Sequence, residues 1–88
     1  MIYNVAFTET ADKQFHKLEK HVQQKILNFL YKYIDNSTNP RLQGKALKGK
    51  LSGLWRYDIG KYRLICDIQD NVCEVLAVKV GHRKDVYR

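Results

Sequence analysis

Apolar and polar positions alternate along Ile2-Tyr3-Asn4-Val5-Ala6-Phe7, the period of a strand with one buried face, and the side chains are β-favouring. Beyond it the spacing lengthens. Ala11, Phe15, Leu18 and Val22 recur at intervals of four, three and four, which lines them along one stripe of a helix running to about Lys20. Thr8 or Thr10 offers the capping oxygen, and Glu9 and Asp12 fall in the first turn, where the helix dipole favours negative charge. From about His21 the same periodicity resumes through Val22, Ile26, Phe29, Leu30, Tyr33 and Ile34, predicting a second helix and a helical hairpin. The run Asp35-Asn36-Ser37-Thr38-Asn39-Pro40 ends it, by turn chemistry and by the amide that Pro40 lacks.

Positions 36–53 form a basic, glycine-containing connection with Arg41, Gly44, Lys45, Lys48, Gly49, Lys50 and Gly53, and loops this long in small domains tend to be functional or mobile. The rest of the chain reverts to alternation. Leu54 to Asp58, Tyr62 to Gln69 and Val72 to Val80, separated by turns at Ile59-Gly60 and Asp70-Asn71, predict a three-stranded antiparallel meander. The expected class is α+β: one domain over residues 1–88, with an N-terminal strand, a two-helix hairpin and then the meander, the helices packed on one face of an antiparallel sheet.

With two-residue loops in both hairpins the register can be counted. Trp55, Tyr57, Tyr62, Leu64, Cys66, Ile68, Cys73, Val75 and Ala77 then share an apolar face that meets the helices, and Arg56, Arg63, Ile65, Asp67, Leu76, Val78 and His82 share the other. Arg56 would lie directly opposite Arg63, a like-charge pair that opposes folding. The two side chains could splay into solvent or be neutralised by Asp58 and Asp67; alternatively they form a phosphate site, since guanidinium groups bind phosphate in bidentate fashion and stay charged. The same count makes Cys66 and Cys73 diagonal neighbours, an arrangement unsuited to a disulfide.

Charge sharpens the picture. Sixteen Lys and Arg against nine Asp and Glu leave a net +7 on 88 residues, which points to an anionic partner, nucleic acid first. No run of apolar residues is long enough for a membrane span and no signal pattern follows Met1, so a soluble cytoplasmic protein is expected. Two cysteines without Cys-x-x-Cys or His-x-x-x-His spacing suggest reduced thiols and no metal site. The sequence closes on Gly81-His82-Arg83-Lys84-Asp85-Val86-Tyr87-Arg88, a basic tail that is either solvated or, bent at Gly81 beside the arginine-bearing face, able to bring His82, Arg83 and Tyr87 to a ligand held by Arg56 and Arg63.

The stretch from Leu47 to Ile65, with its Gly-Leu-Trp-Arg-Tyr and Lys-Tyr-Arg-Leu-Ile segments, together with Val80 to Tyr87, resembles the RelE branch of the RelE/ParE toxin superfamily of bacterial toxin–antitoxin modules. The resemblance covers nearly the whole chain and agrees with the predicted element order. It implies a ribosome-dependent endoribonuclease, an mRNA interferase that cleaves messenger in the decoding A site and so inhibits translation. By motif position, Arg63 is similar to the phosphate-holding arginine, Arg83 to the arginine near the scissile phosphate, and Tyr87 to the tyrosine that stacks on or orients the substrate. Arg56 stands where some members have a catalytic lysine, and Leu54 where some have a second, which leaves the general base open.

Metal-free cleavage of this kind needs the 2′-hydroxyl to lose a proton while it attacks phosphorus in line, and the 5′-oxygen to gain one. Arg56 and Arg63 suit the charge role, and His82 is the candidate base or acid, histidine being the side chain that changes charge near neutrality. Lys45, Lys48, Lys50, Lys61 and Lys84 read as RNA-tracking charges or as solvated lysines. No cofactor and no small-molecule partner are implied; the expected partners are messenger, ribosome and a cognate antitoxin laid as a helix or extended segment over the apolar and basic surface. Two other readings remain: a ParE-like poison of DNA gyrase, and a non-catalytic basic RNA-binding module.

Overall fold

The computed structural model describes residues 1–86. Along the chain lie β1 (Asn4–Phe7), α1 (Glu9–His16), α2 (Lys20–Phe29), β2 (Lys45–Ala46), β3 (Trp55–Ile59), β4 (Tyr62–Gln69) and β5 (Glu74–His82). The α+β class is as predicted. The sheet runs β1-β5-β4-β3-β2, with one departure from an all-antiparallel arrangement: β1 pairs with β5 in parallel, Val5 beside Val75 and Phe7 beside Ala77.

Of the two candidate caps, Thr8 is the one used; its Oγ1 accepts from the Ala11 amide at 3.1 Å. The first helix stops at His16, earlier than its periodicity suggests, because the carbonyls of its end find another partner. Gln23 Nε2 donates to Leu18 O at 2.8 Å and to His16 O at 3.4 Å, which satisfies backbone that a break would otherwise strand. After Phe29 the second helix widens into a π turn over Leu30–Ile34, closed by the Asp35 amide on Leu30 O at 2.7 Å, and this keeps Ile34 buried. Asp35 Oδ1 then accepts from Val5 N at 3.1 Å, and the Tyr3 amide bonds Ser37 O, so the segment after the helices covers the outer edge of β1.

The core lies between the helices and one face of the sheet. Ala11, Phe15, Val22, Ile26, Leu30 and Ile34 meet Tyr57, Leu64, Cys66, Val75, Ala77 and Val80. Burial pushes the Tyr57 hydroxyl and the Cys66 thiol above their ordinary pKa values, and both cysteines are free thiols. Tyr57 is fully buried and its hydroxyl donates to Pro40 O at 2.7 Å, while Trp55 Nε1 donates to Gln43 O at 2.7 Å. These bonds, with Arg41 paired to Asp70 at 2.9 and 3.0 Å and the Tyr3 hydroxyl donating to the same carboxylate at 2.6 Å, pin the connection predicted as a loop. It carries β2 and two short 3-10 turns, Pro40–Leu42 and Gly49–Leu51.

Three details of the meander correct the predicted register. The first hairpin turns at Gly60-Lys61, not Ile59-Gly60, because Gly60, with φ +60°, takes the first central position of the loop, where positive φ is needed. Arg63 therefore faces Asp58, and Arg56 faces Ile65. The second turn spans residues 70–73, with Cys73 at φ +52°, so Cys73 leaves the strand and Val75 faces Ile68. Finally, Cys66 pairs with Ala77 but Ile65 with Lys79, which leaves Val78 as the extra residue of a β-bulge. Past the bulge the alternation is inverted: Val80 joins the core and His82 pairs with Tyr62 instead of sharing the arginine face.

Candidate functional site

On the face of the sheet turned away from the helices, pairing sets a row of cations. Lys45 of β2 faces Arg56 of β3, and Arg63 of β4 lies two residues further along the same face, directly across from Asp58. Lys79 joins them opposite Ile65, brought there by the bulge. The shift of the turn changes the partner of each arginine but not its face, so Arg56 and Arg63 remain neighbours on a diagonal.

At the centre of this row is a carboxylate. Arg63 Nε donates to Asp58 Oδ1 at 2.6 Å, and Arg56 Nε stands 3.7 Å from Oδ2, beyond hydrogen-bond range. The hydrogen bond from Arg63, joined by the charges of Arg63, Arg56 and Arg83, holds the Asp58 carboxyl below the usual carboxylate range against the opposing effect of partial burial. Arg56 Nε is buried and has no hydrogen-bond partner, an unmet donor beside a single acceptor group. The Arg63 side chain is only 13% exposed and that of Arg56 27%, so the guanidiniums are sheltered enough for their charges to act strongly.

Arg83 enters from the turn after β5. Its amide donates to Lys61 O at 2.9 Å, which ties the turn after β5 to the β3–β4 hairpin. The turn itself is organised by His82: its carbonyl accepts from Asp85 N at 2.8 Å and Val86 N at 3.0 Å, and its Nδ1 accepts from Lys84 N at 3.2 Å. The backbone N–H can only donate, so Nδ1 is unprotonated and neutral His82 carries its proton on Nε2. The His82 ring meets Tyr62 edge-on at 5.5 Å. Val86, 3% exposed, anchors the turn.

The structure thus brings together Arg56 and Arg63, with Lys45 alongside and Arg83 near enough for its charge to favour the ionised Asp58, and sets His82 on the Tyr62 side. Lys48 and Lys50 are exposed beside and within the 3-10 turn Gly49–Leu51, Lys61 is exposed in the hairpin turn, and Lys84 is exposed after β5. Tyr87, assigned to stacking on substrate, lies outside the described residues. Lys79 and Tyr62 were not singled out by the sequence; the signal for Lys79 is a strand bulge, which leaves no compositional mark. Gly44 was named only as part of the connection. Its φ is +80°, and a Cβ there would collide with Arg56 O and come within 2.7 Å of Trp55 Nε1, so glycine is what lets β2 approach β3 and set Lys45 beside Arg56. No group of three His, Cys, Asp or Glu among the described residues is placed to hold a metal ion.

Residues 5–87 match the family described as the ParE toxin of type II toxin–antitoxin systems, parDE. The chain is 36% identical over 88 residues to Toxin RelG of Mycobacterium tuberculosis, covering 100% of this chain and 99% of that protein. To Toxin RelE of the same organism it is 30% identical over 86 residues, covering 98% and 87%. Among solved structures, a chain of the toxin–antitoxin complex RelBE2 from Mycobacterium tuberculosis superposes with a TM-score of 0.82 at 34% identity, over 94% of this chain and 100% of that one. The isolated Escherichia coli RelE toxin superposes with a TM-score of 0.71 at 22% identity, over 91% and 83%, a likeness of fold.

Proposed function

The chain belongs to the RelE/ParE superfamily and is a toxin of a RelBE-type toxin–antitoxin system, and from that premise we propose that it is a metal-independent endoribonuclease that cuts messenger RNA in the ribosomal A site. The observation that carries this reading is the pairing of Arg56 and Arg63 about Asp58 on the sheet face left open by the helices, with the charge of Arg83 acting on the same carboxylate. Fixed guanidinium groups, half-buried at Arg56 and Arg63, suit a phosphodiester whose equatorial oxygens gain charge as the reaction proceeds.

In this reaction the 2′-hydroxyl loses its proton and bonds to phosphorus, the bond to the 5′-oxygen breaks, and that oxygen takes up a proton. The products are a 2′,3′-cyclic phosphate and a 5′-hydroxyl. Arg63 and Arg56 hold the non-bridging oxygens, and Arg83, carried on the turn that His82 organises, meets the developing charge from the tail side. His82 lies on the Tyr62 side of the sheet with Lys84 N on its Nδ1, so its part is to position the turn that bears Arg83, and the leaving oxygen takes its proton from water. Tyr87 stacks on a splayed base. Lys45, Lys48, Lys50, Lys61 and Lys84 track the backbones of messenger and ribosomal RNA.

Asp58 is a poor base because its paired arginines favour the ionised form. With no strong base beside the arginines among the described residues, the ribosome must supply the substrate geometry, and free RNA is a slow substrate. The cell compartment is then the cytoplasm; no described helix is long and apolar enough to cross a membrane. A cognate antitoxin, acidic or amphipathic against a net charge of +7, restrains the toxin. Primer extension on messenger during induced expression tests the reading: cuts within A-site codons, in frame, are expected, and uncut messenger in growth-arrested cells would refute it.

The family match to ParE toxins favours one second reading, a poison of DNA gyrase. It predicts DNA breaks with intact messenger, so the same induced cells distinguish the two.

A further inference from the structure

Arginines that await an RNA phosphate repel one another in its absence, and Arg56 and Arg63 flank one point on the open face. What sits at that point is a carboxylate of the chain itself. Asp58 projects between Arg63, directly across the ladder, and Arg56, two residues along its own strand: Oδ1 receives Arg63 Nε at 2.6 Å and Oδ2 lies 3.7 Å from Arg56 Nε, so the two oxygens are addressed by two different guanidiniums, much as two oxygens of a phosphate would be. The fit is close on one side and loose on the other. Arg56 Nε is buried and has no hydrogen-bond partner, a need that a larger, tetrahedral anion between the two arginines would meet.

We propose that Asp58 is the internal counter-anion of the site: its carboxylate occupies, between Arg63 and Arg56, the place of an RNA phosphate and must yield it before that phosphate binds. The inference rests on reading the arginine face as the RNA site. Asp58 is a positioning residue, with two opposed effects. It keeps Arg63 and Arg56 assembled while the site is empty, and it competes with any anion that arrives. A phosphate held weakly or singly is turned away, whereas one fixed in place by a large assembly displaces the carboxylate, so the toxin is selective for presented RNA without contacting a base.

Titration of the full chain with inorganic phosphate, followed by NMR at the Arg63 Nε–Hε pair and the Asp58 carboxyl carbon, is the direct test. Both signals should move with one midpoint, the carboxyl carbon toward the value of an unpaired carboxylate. A response at Arg63 with Asp58 unmoved, or no response at either, overturns the proposal. Asp58→Asn removes the competitor and should tighten phosphate binding about fivefold, the order expected for one nearby charge at a partly exposed site; unchanged or weaker binding in the folded variant also overturns it. Asp58→Glu, which restores the charge, should return affinity toward the original value, and failure to do so marks Asp58 as merely structural. On programmed ribosomes Asp58→Asn should lower KM more than it changes kcat. Coupled phosphate displacement in a protein that cuts no ribosome-bound messenger would leave the counter-anion standing and remove the nuclease reading.

Discussion

Asp58 and Arg63 face each other across β3 and β4, joined at 2.6 Å by a hydrogen bond that would not exist had the hairpin turned one residue earlier. In that other register Arg63 would face Arg56 and the like charges would meet head-on. A glycine able to take φ +60° at position 60 therefore decides whether the open face is a repelling pair or a clamp around an anion.

Arg63→Ala and Arg83→Ala should each reduce cleavage of ribosome-bound messenger by about a hundredfold or more, the scale of losing a preorganised donor to developing charge. Both variants should remain folded by circular dichroism, since neither side chain belongs to the core cluster. Arg63→Lys should recover little, because a point charge cannot reproduce the directed Nε donor.

The Asp58 carboxyl should titrate below the usual carboxylate range, chiefly because Arg63 donates to it. Its folded pKa lies under its unfolded one, so the pair's contribution is complete above the ordinary carboxylate pKa and is lost as pH falls through the lowered value. Carbon-detected NMR should show that midpoint rising in Arg63→Ala, with Arg56 and Arg83 keeping part of the depression.

Gly44→Ala combines a positive φ with a Cβ driven into Arg56 O, and should lower stability by about 2–4 kcal/mol. Chemical denaturation measures it. If β2 detaches instead of the whole domain unfolding, hydrogen exchange should quicken at Leu47, whose amide bonds Leu54 O, and the charge of Lys45 should leave the neighbourhood of Arg56.

Long-range proton–nitrogen spectra should find neutral His82 protonated at Nε2, as the Lys84 amide on Nδ1 requires. His82→Gln should loosen the turn carrying Arg83 and slow cleavage through a disordered arginine.

Element identities were readable because periodicity is local: helix stripes and strand alternation each show within a few residues, and Ala11, Phe15, Ile26, Tyr57, Leu64 and Val75 all lie in the core that those patterns implied. The arginine face was readable for a related reason. Moving the first turn by one residue changes cross-strand partners by two, which preserves parity, so Arg56 and Arg63 share a face in either register. Partnership was not readable, since Gly60 could serve as the second residue of one loop or the first of the next. Neither the π turn after Phe29 nor the bulge at Val78 has a residue signature, and the bulge alone misplaced His82 and hid Lys79.

That bulge also makes the regularity of one strand a determinant of chemistry. Were Val78 instead to take a regular place opposite Ile65, every side chain beyond it would exchange sides: Lys79 would swing into the apolar layer, Val80 out to water, and the imidazole across to the guanidiniums, whereas excising Val78 would leave each on its present side. Relatives of equal length that pair this strand without the bulge would therefore present different chemistry from an unchanged set of letters, and comparing them column by column would mistake a flip of the ribbon for conservation of the site.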